Sequence, residues 1–135
     1  EEMVDEHPHR IGYVDTLYHL EQCSAVLVLG STERHYTPSK VFQAILSKRP
    51  VFAMLHAEST AIGMIEQARA GKVLPLTEQT TPGPAAVADA LQAMIEAPAY
   101  EASAVDSSAF DSLSARASAK ALAEALDQAC ARRAA

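Results

Sequence analysis

Residues 24–55 read SAVLVLGSTERHYTPSKVFQAILSKRPVFAML, and the fold class follows from how apolar and polar groups are spaced along this stretch. Ala25 to Leu29 is an apolar run with no polar residue to alternate with. A strand covered on both faces has this pattern, and such strands belong to parallel sheets flanked by helices. Thr37 is placed to cap the helix that follows, and Pro38 suits its first position, where the missing N–H costs nothing. Val41, Phe42, Ile45 and Leu46 then recur at helical period. Pro50 closes that segment and opens a second buried run, Val51 to Leu55.

The same alternation extends outward. Upstream, residues 9–14 read as a short strand closing in a turn at Gly12, and residues 15–22 as a helix with Leu17 and Leu20 on one face. Downstream, Ser59 or Thr60 starts a helix striped by Ile62, Ile65 and Ala68, and Gly71 stands where a left-handed C-terminal cap is expected. Residues 72–76 form a further strand, and a loop with two prolines leads to a helix carrying Val87, Leu91, Met94 and Ile95. The order βαβαβαβα demands crossover connections, hence an α/β fold with a Rossmann-like parallel sheet and helices on both faces. No internal repeat is visible. That domain spans residues 1–97; residues 98–135 are an irregular segment followed by an alanine-rich helix from Asp111 or Ser112 to about Arg132. Its stripe of Leu113, Leu122, Leu126 and Cys130 is thin, so this helix needs a surface to pack on, whether this domain or another.

Composition bounds the function. A chain of 135 residues holds one domain with a real core, and 49% apolar with 21% charged residues is a globular composition. A net charge of −6 argues against general binding to nucleic acid or anionic membranes, which needs a clustered basic field. Cys23 and Cys130 are far apart and show no metal-site spacing, which points to a reducing, cytoplasmic compartment. No apolar run approaches the roughly 20 residues of a membrane span. The start at Glu1 suggests a chain cut from a longer one.

Ligands of open parallel sheets bind beyond the carboxyl ends of the strands, beside helix N-termini. The loop from Gly30 to Ser39 lies there and carries Ser31, Thr32, Glu33, Arg34, His35, Tyr36, Thr37 and Ser39. Free N–H groups at the start of the next helix favour an anion, and Arg34 and Lys40 supply counter-charge. Lys40 and Gln43 lie three residues apart and share a helix face, with Ser39 and Ser47 nearby. A diphosphate followed by a ribose meets Lys40 and then Gln43 on that face; a merely solvated face is the alternative. The loop from His56 to Thr60 is a weaker second anion site. His7 and His9 share a strand face without a third ligand, so no metal site is assigned. Nucleophile, GxGxxG and P-loop motifs are all absent.

From Ile11 to Leu76 the chain resembles the C-terminal, donor-binding domain of GT-B glycosyltransferases, in particular the retaining group 1 enzymes that use nucleotide-diphosphate sugars. The residues that carry the resemblance are Ile11-Gly12-Tyr13-Val14, Ser24 to Leu29, Pro38 to Ala44, Arg49-Pro50-Val51, and Gly71 before a Val-Leu strand. The resemblance implies that Tyr13 and Val14 line the nucleobase, that Thr37, Ser39 and Lys40 hold the diphosphate, to which the loop reading adds Arg34 as counter-charge, and that Gln43 meets the ribose. Three positions depart from the family pattern. Gln43 stands where a ribose-binding glutamate is usual, His35 where many relatives have a second glutamate, and Lys48 where glycine often ends the helix.

The expected activity is transfer of a sugar from a nucleotide-diphosphate donor to an unidentified acceptor, with no metal and no further cofactor. The implied partners are the donor and an N-terminal domain of the same protein, without which this chain is expected to be inactive. The alternative is a noncatalytic nucleotide-binding or protein-interaction module derived from such a domain. A receiver or flavodoxin-like domain fits less well, because no acidic cluster follows the first strands.

Overall fold

A computed structural model describes residues 3–34, 36, 38–97 and 100–134. Among them are three strands in one parallel sheet, β1 (Val26–Leu29), β2 (Val51–His56) and β3 (Gly71–Leu76), in the order β1-β2-β3. The helices are α1 (Tyr13–Gln22), α2 (Val41–Leu46), α3 (Thr60–Gln67), α4 (Pro84–Ile95) and α5 (Ala115–Ala134), with 3₁₀ turns at Ala102–Ala104 and Ser108–Leu113. None is long and apolar enough to cross a membrane.

β2 is the centre. Val51 pairs with Val26 and Gly71, and Ala53 with Val28 and Val73, so these side chains share one face of the sheet. That face is buried against Val41, Ala44 and Ile45 of α2 and Ala61 and Ile65 of α3. Phe110, from the second 3₁₀ turn, closes the core edge-on to Phe42, ring centroids 5.6 Å apart. The Asp106 N–H, donating to the Ala68 carbonyl at 3.0 Å, ties the same tail segment to the end of α3. On the opposite face Phe52 is buried at 1% exposure, and α4 meets β3.

Four expectations need correction. No strand forms over residues 9–14; Tyr13 and Val14 instead enter the first turn of α1, where the Thr16 N–H bonds back to the Gly12 carbonyl at 3.0 Å. The described sheet therefore has three strands, and β1 lies at its edge. As a result β1 is not covered on both faces: Leu27 and Leu29 are 56% and 61% exposed. α2 begins at Val41, because Pro38 to Lys40 form a turn in which the Val41 N–H reaches the Pro38 carbonyl at 3.1 Å. The expected cap, Thr37, lies outside the described residues. Finally, the left-handed residue after α3 is Arg69, with φ 54°, and not Gly71.

Gly71 is needed for a different reason. A Cβ there would lie 1.9 Å from the Val51 carbonyl oxygen, so only glycine lets β3 start beside β2. Lys48 takes the left-handed conformation, φ 55°, at the end of α2. The Ser59 side chain caps α3, accepting from the Ala61 N–H at 3.4 Å. α5 begins at Ala115, after the 3₁₀ turn, and packs chiefly on that turn; Leu122 and Leu126 face solvent.

Two glycine exchanges are expected to act in opposite directions in urea unfolding. Gly71→Ala loses about 3 kcal/mol, because backbone and not a flexible side chain is in the way. Lys48→Gly gains about 1 kcal/mol by relieving the left-handed lysine.

Candidate functional site

Two grooves open at the β1 edge of the sheet, where residues of α1 and α2 face one another. The larger, about 360 Å³, is lined by Thr16 and Leu20 of α1, by β1, and by Tyr36, Pro38, Ser39, Lys40, Gln43 and Ala44. The smaller, about 150 Å³, lies between the helices and is lined by Tyr13, Leu17, Leu20 and Glu21 on one side and Gln43, Leu46 and Ser47 on the other. Gln43 and Leu20 border both. The helical spacing of Tyr13, Leu17 and Leu20 puts them on one face of α1, which explains why a single groove runs along it.

The structure thus brings together Ser39, Lys40 and Gln43, with Tyr13 one groove away. Ser39 and Lys40 are exposed and Gln43 is half-buried. The Lys40 ammonium has no ion-pair partner among the described residues. Val14 is exposed on the first turn of α1 and lines neither groove. Arg34 lines neither groove and is engaged elsewhere: its Nη2 donates to Glu58 Oε1 at 2.5 Å, bridging the loops that follow β1 and β2. Thr37 and His35 lie outside the described residues. With only six residues, α2 has a short dipole, so charge at this site comes mainly from Lys40.

Sequence reasoning missed Thr16 and Leu20 as groove walls. Thr16 donates its hydroxyl to the Gly12 carbonyl at 3.0 Å, an ordinary first-turn contact, and no spacing marks it as a groove wall. Tyr36 was visible only as one polar group among many in its loop. The loop from His56 to Thr60 is organised internally: His56 is buried and its Nδ1 accepts from the Glu58 N–H at 3.1 Å, while the Ser59 hydroxyl donates to the Tyr36 carbonyl at 3.5 Å.

Two larger hollows have more apolar walls. One, about 660 Å³, lies between α1 and residues 6–11, which have no regular structure. His7, His9 and His19 border it, but His7 pairs with Asp5 at 3.3 Å. Among the described residues no group of three or more His, Cys, Asp or Glu is placed to hold a metal. The other, about 650 Å³, lies at the opposite end of the sheet, beside Arg69, Lys72, Met94 and Tyr100. Tyr100 donates to the Ala70 carbonyl at 3.3 Å, and burial pushes its hydroxyl above the ordinary tyrosine range.

Compared with protein-family models, with curated proteins and with solved structures, the chain has no match.

One acid outside the site has a definite pH signature. Ser108 donates to the Asp106 carboxylate from its hydroxyl at 2.6 Å and from its N–H at 2.9 Å. These bonds hold the carboxyl below its ordinary value of 3.8. A depressed folded-state pKa contributes stability that is present above the unfolded value and is lost as pH falls through the folded one. The Ser108 amide signal is expected to move as pH drops below about 4, and Asp106→Asn to abolish that movement in an NMR titration.

Proposed function

We propose that the chain is the donor-binding, Rossmann-like domain of a GT-B glycosyltransferase, binding a nucleotide-diphosphate sugar for transfer of the sugar to an acceptor. One observation carries this reading: Gln43 borders both grooves, with Ser39 and Lys40 in one and Tyr13 in the other. A nucleoside diphosphate laid along them sets its phosphates by Lys40 and Ser39, its ribose by Gln43 and its base by Tyr13. Val14 and Thr37 complete the set implied by resemblance; Arg34, added from its loop as counter-charge, must first leave Glu58 to join it. The larger groove falls within the size range of small-molecule sites.

Catalysis on this reading is electrostatic. The leaving diphosphate gains charge as the sugar departs, and the Lys40 ammonium offsets it; fixed charge aimed at developing charge acts more strongly in the transition state than in the ground state. Lys40 supplies the positive charge, so the scheme calls for no metal. The acceptor is held by a further domain. Ile11, Tyr13, Val14, Tyr18, Leu27 and Leu29 leave the α1 and β1 side apolar and exposed, as a surface that meets another domain does. The same reading places the protein in the cytoplasm.

A noncatalytic nucleotide-binding or interaction module is the second reading, favoured by the uncharged Gln43 at the ribose position. Calorimetric titration with UDP and GDP separates the two from a bare fold. Binding of one of them is expected, with Lys40→Ala weakening it by about 1–3 kcal/mol, the scale of a lost charged hydrogen bond. Gln43→Ala should weaken nucleoside diphosphate and leave inorganic pyrophosphate unchanged. No binding of either nucleotide at millimolar concentration removes both nucleotide readings. Because this chain alone is expected to be inactive, transfer from a nucleotide sugar by the chain joined to the proposed further domain distinguishes the enzyme from the module.

A further inference from the structure

Among the described residues, one long-range ion pair at the carboxyl end of the sheet joins Arg34 to Glu58. β1 and β2 are neighbours, so the loops that follow them stand side by side, and this pair spans them at 2.5 Å. The Ser59 hydroxyl on the Tyr36 carbonyl is a second, longer link between the same loops. Both partners of the ion pair are 57% exposed. Pairs this exposed contribute little to stability, because water screens them and ordering two long side chains opposes them. The link is therefore easy to break and does not hold the fold.

Its electrostatic effect on the site is larger than its effect on stability. Lys40 and Tyr36 line the larger groove, and Arg34 stands two residues before Tyr36 in the same loop, outside the groove and paired with Glu58. Glu58 neutralises Arg34, which leaves Lys40 as the cation facing the groove, with Glu33 on the same loop. A diphosphate carries more negative charge than one lysine offsets. Its oxygens also offer the guanidinium a bidentate partner, whereas Glu58 engages Arg34 through one carboxylate oxygen.

We propose that Glu58 restrains Arg34 in the ligand-free protein and that an incoming diphosphate takes Arg34 from it, so that Glu58 sets the affinity of the site. This rests on the nucleotide-diphosphate reading of the groove and adds to it a displaceable strap across the strand ends. Glu58 is then a positioning residue that never touches ligand, and Arg34 changes partner on binding.

The test is calorimetry on the full chain with UDP, GDP and inorganic pyrophosphate, for the wild type, Glu58→Gln, Arg34→Gln and the double variant. Glu58→Gln is expected to bind the diphosphates about 3–10-fold more tightly, with a steeper loss of affinity as salt is raised. Arg34→Gln is expected to bind them about 5–10-fold more weakly, and to abolish the gain from Glu58→Gln when the two are combined. All four proteins should unfold at similar urea concentrations, which excludes a folding defect as the cause. Unchanged or weaker binding by Glu58→Gln, or a gain that survives Arg34→Gln, overturns the strap. If pyrophosphate shows the expected pattern while UDP and GDP bind no better than pyrophosphate, the strap stands and the nucleotide reading falls. If no diphosphate binds any variant, both fall.

Discussion

The Val51 carbonyl oxygen occupies the space a side chain on residue 71 would need, and the spacing of the whole sheet depends on that contact. It lets β3 begin directly beside β2, with the Val51 N–H donating to the Ala70 carbonyl at 2.9 Å as the chain turns in. β2 is then paired on both edges and covered on both faces, apart from Met54, which is half-buried. A buried parallel strand must have all its backbone groups paired, since an unpaired group away from water costs about as much as a lost hydrogen bond. Once β2 is fixed, the strand ends, the loops after them and the start of α2 have little freedom left. The site is a consequence of how the central strand is held.

The parts of the fold that sequence made legible are those governed by local chemistry or by burial on all sides. Val51 to Leu55 is an apolar run because it is the middle strand, and Ser59 caps α3 because its oxygen reaches a helix N–H two residues on. The failures come from tertiary context. Ala25 to Leu29 has the same apolar pattern as β2 but stands at the edge, and no periodicity distinguishes an edge strand from a central one when both lack polar residues. Tyr13 and Val14 suit either a strand or a helix start; Gly12 provides the N-cap and the helix wins. Gly71 was noticed for its backbone freedom, yet its importance lies in its lack of a side chain, which only the neighbouring strand reveals.

At the site, sequence singled out Ser39, Lys40 and Gln43 by their spacing on a helix, and the structure places them on one groove. It could not show that α1 forms the opposite wall, because Thr16 and Leu20 meet α2 only through the fold. Nor could it show that Arg34 is held by Glu58, 24 residues away in the chain. Long-range pairs between exposed residues leave no local signature. The juxtaposition on which the proposed function rests, Gln43 between a groove with Lys40 and one with Tyr13, likewise arises only from the fold.

The central claim is that a nucleoside diphosphate lies along the two grooves flanking Gln43. Amide chemical-shift mapping of the isotope-labelled chain with UDP or GDP tests it most directly. The account predicts shifts that cluster on the backbone amides of Ser39, Lys40, Gln43, Tyr13 and Thr16, with the amides of Arg69 and Lys72 at the far end of the sheet unmoved. Shifts centred on Arg69 and Lys72, or spread evenly over the exposed cations, would contradict it.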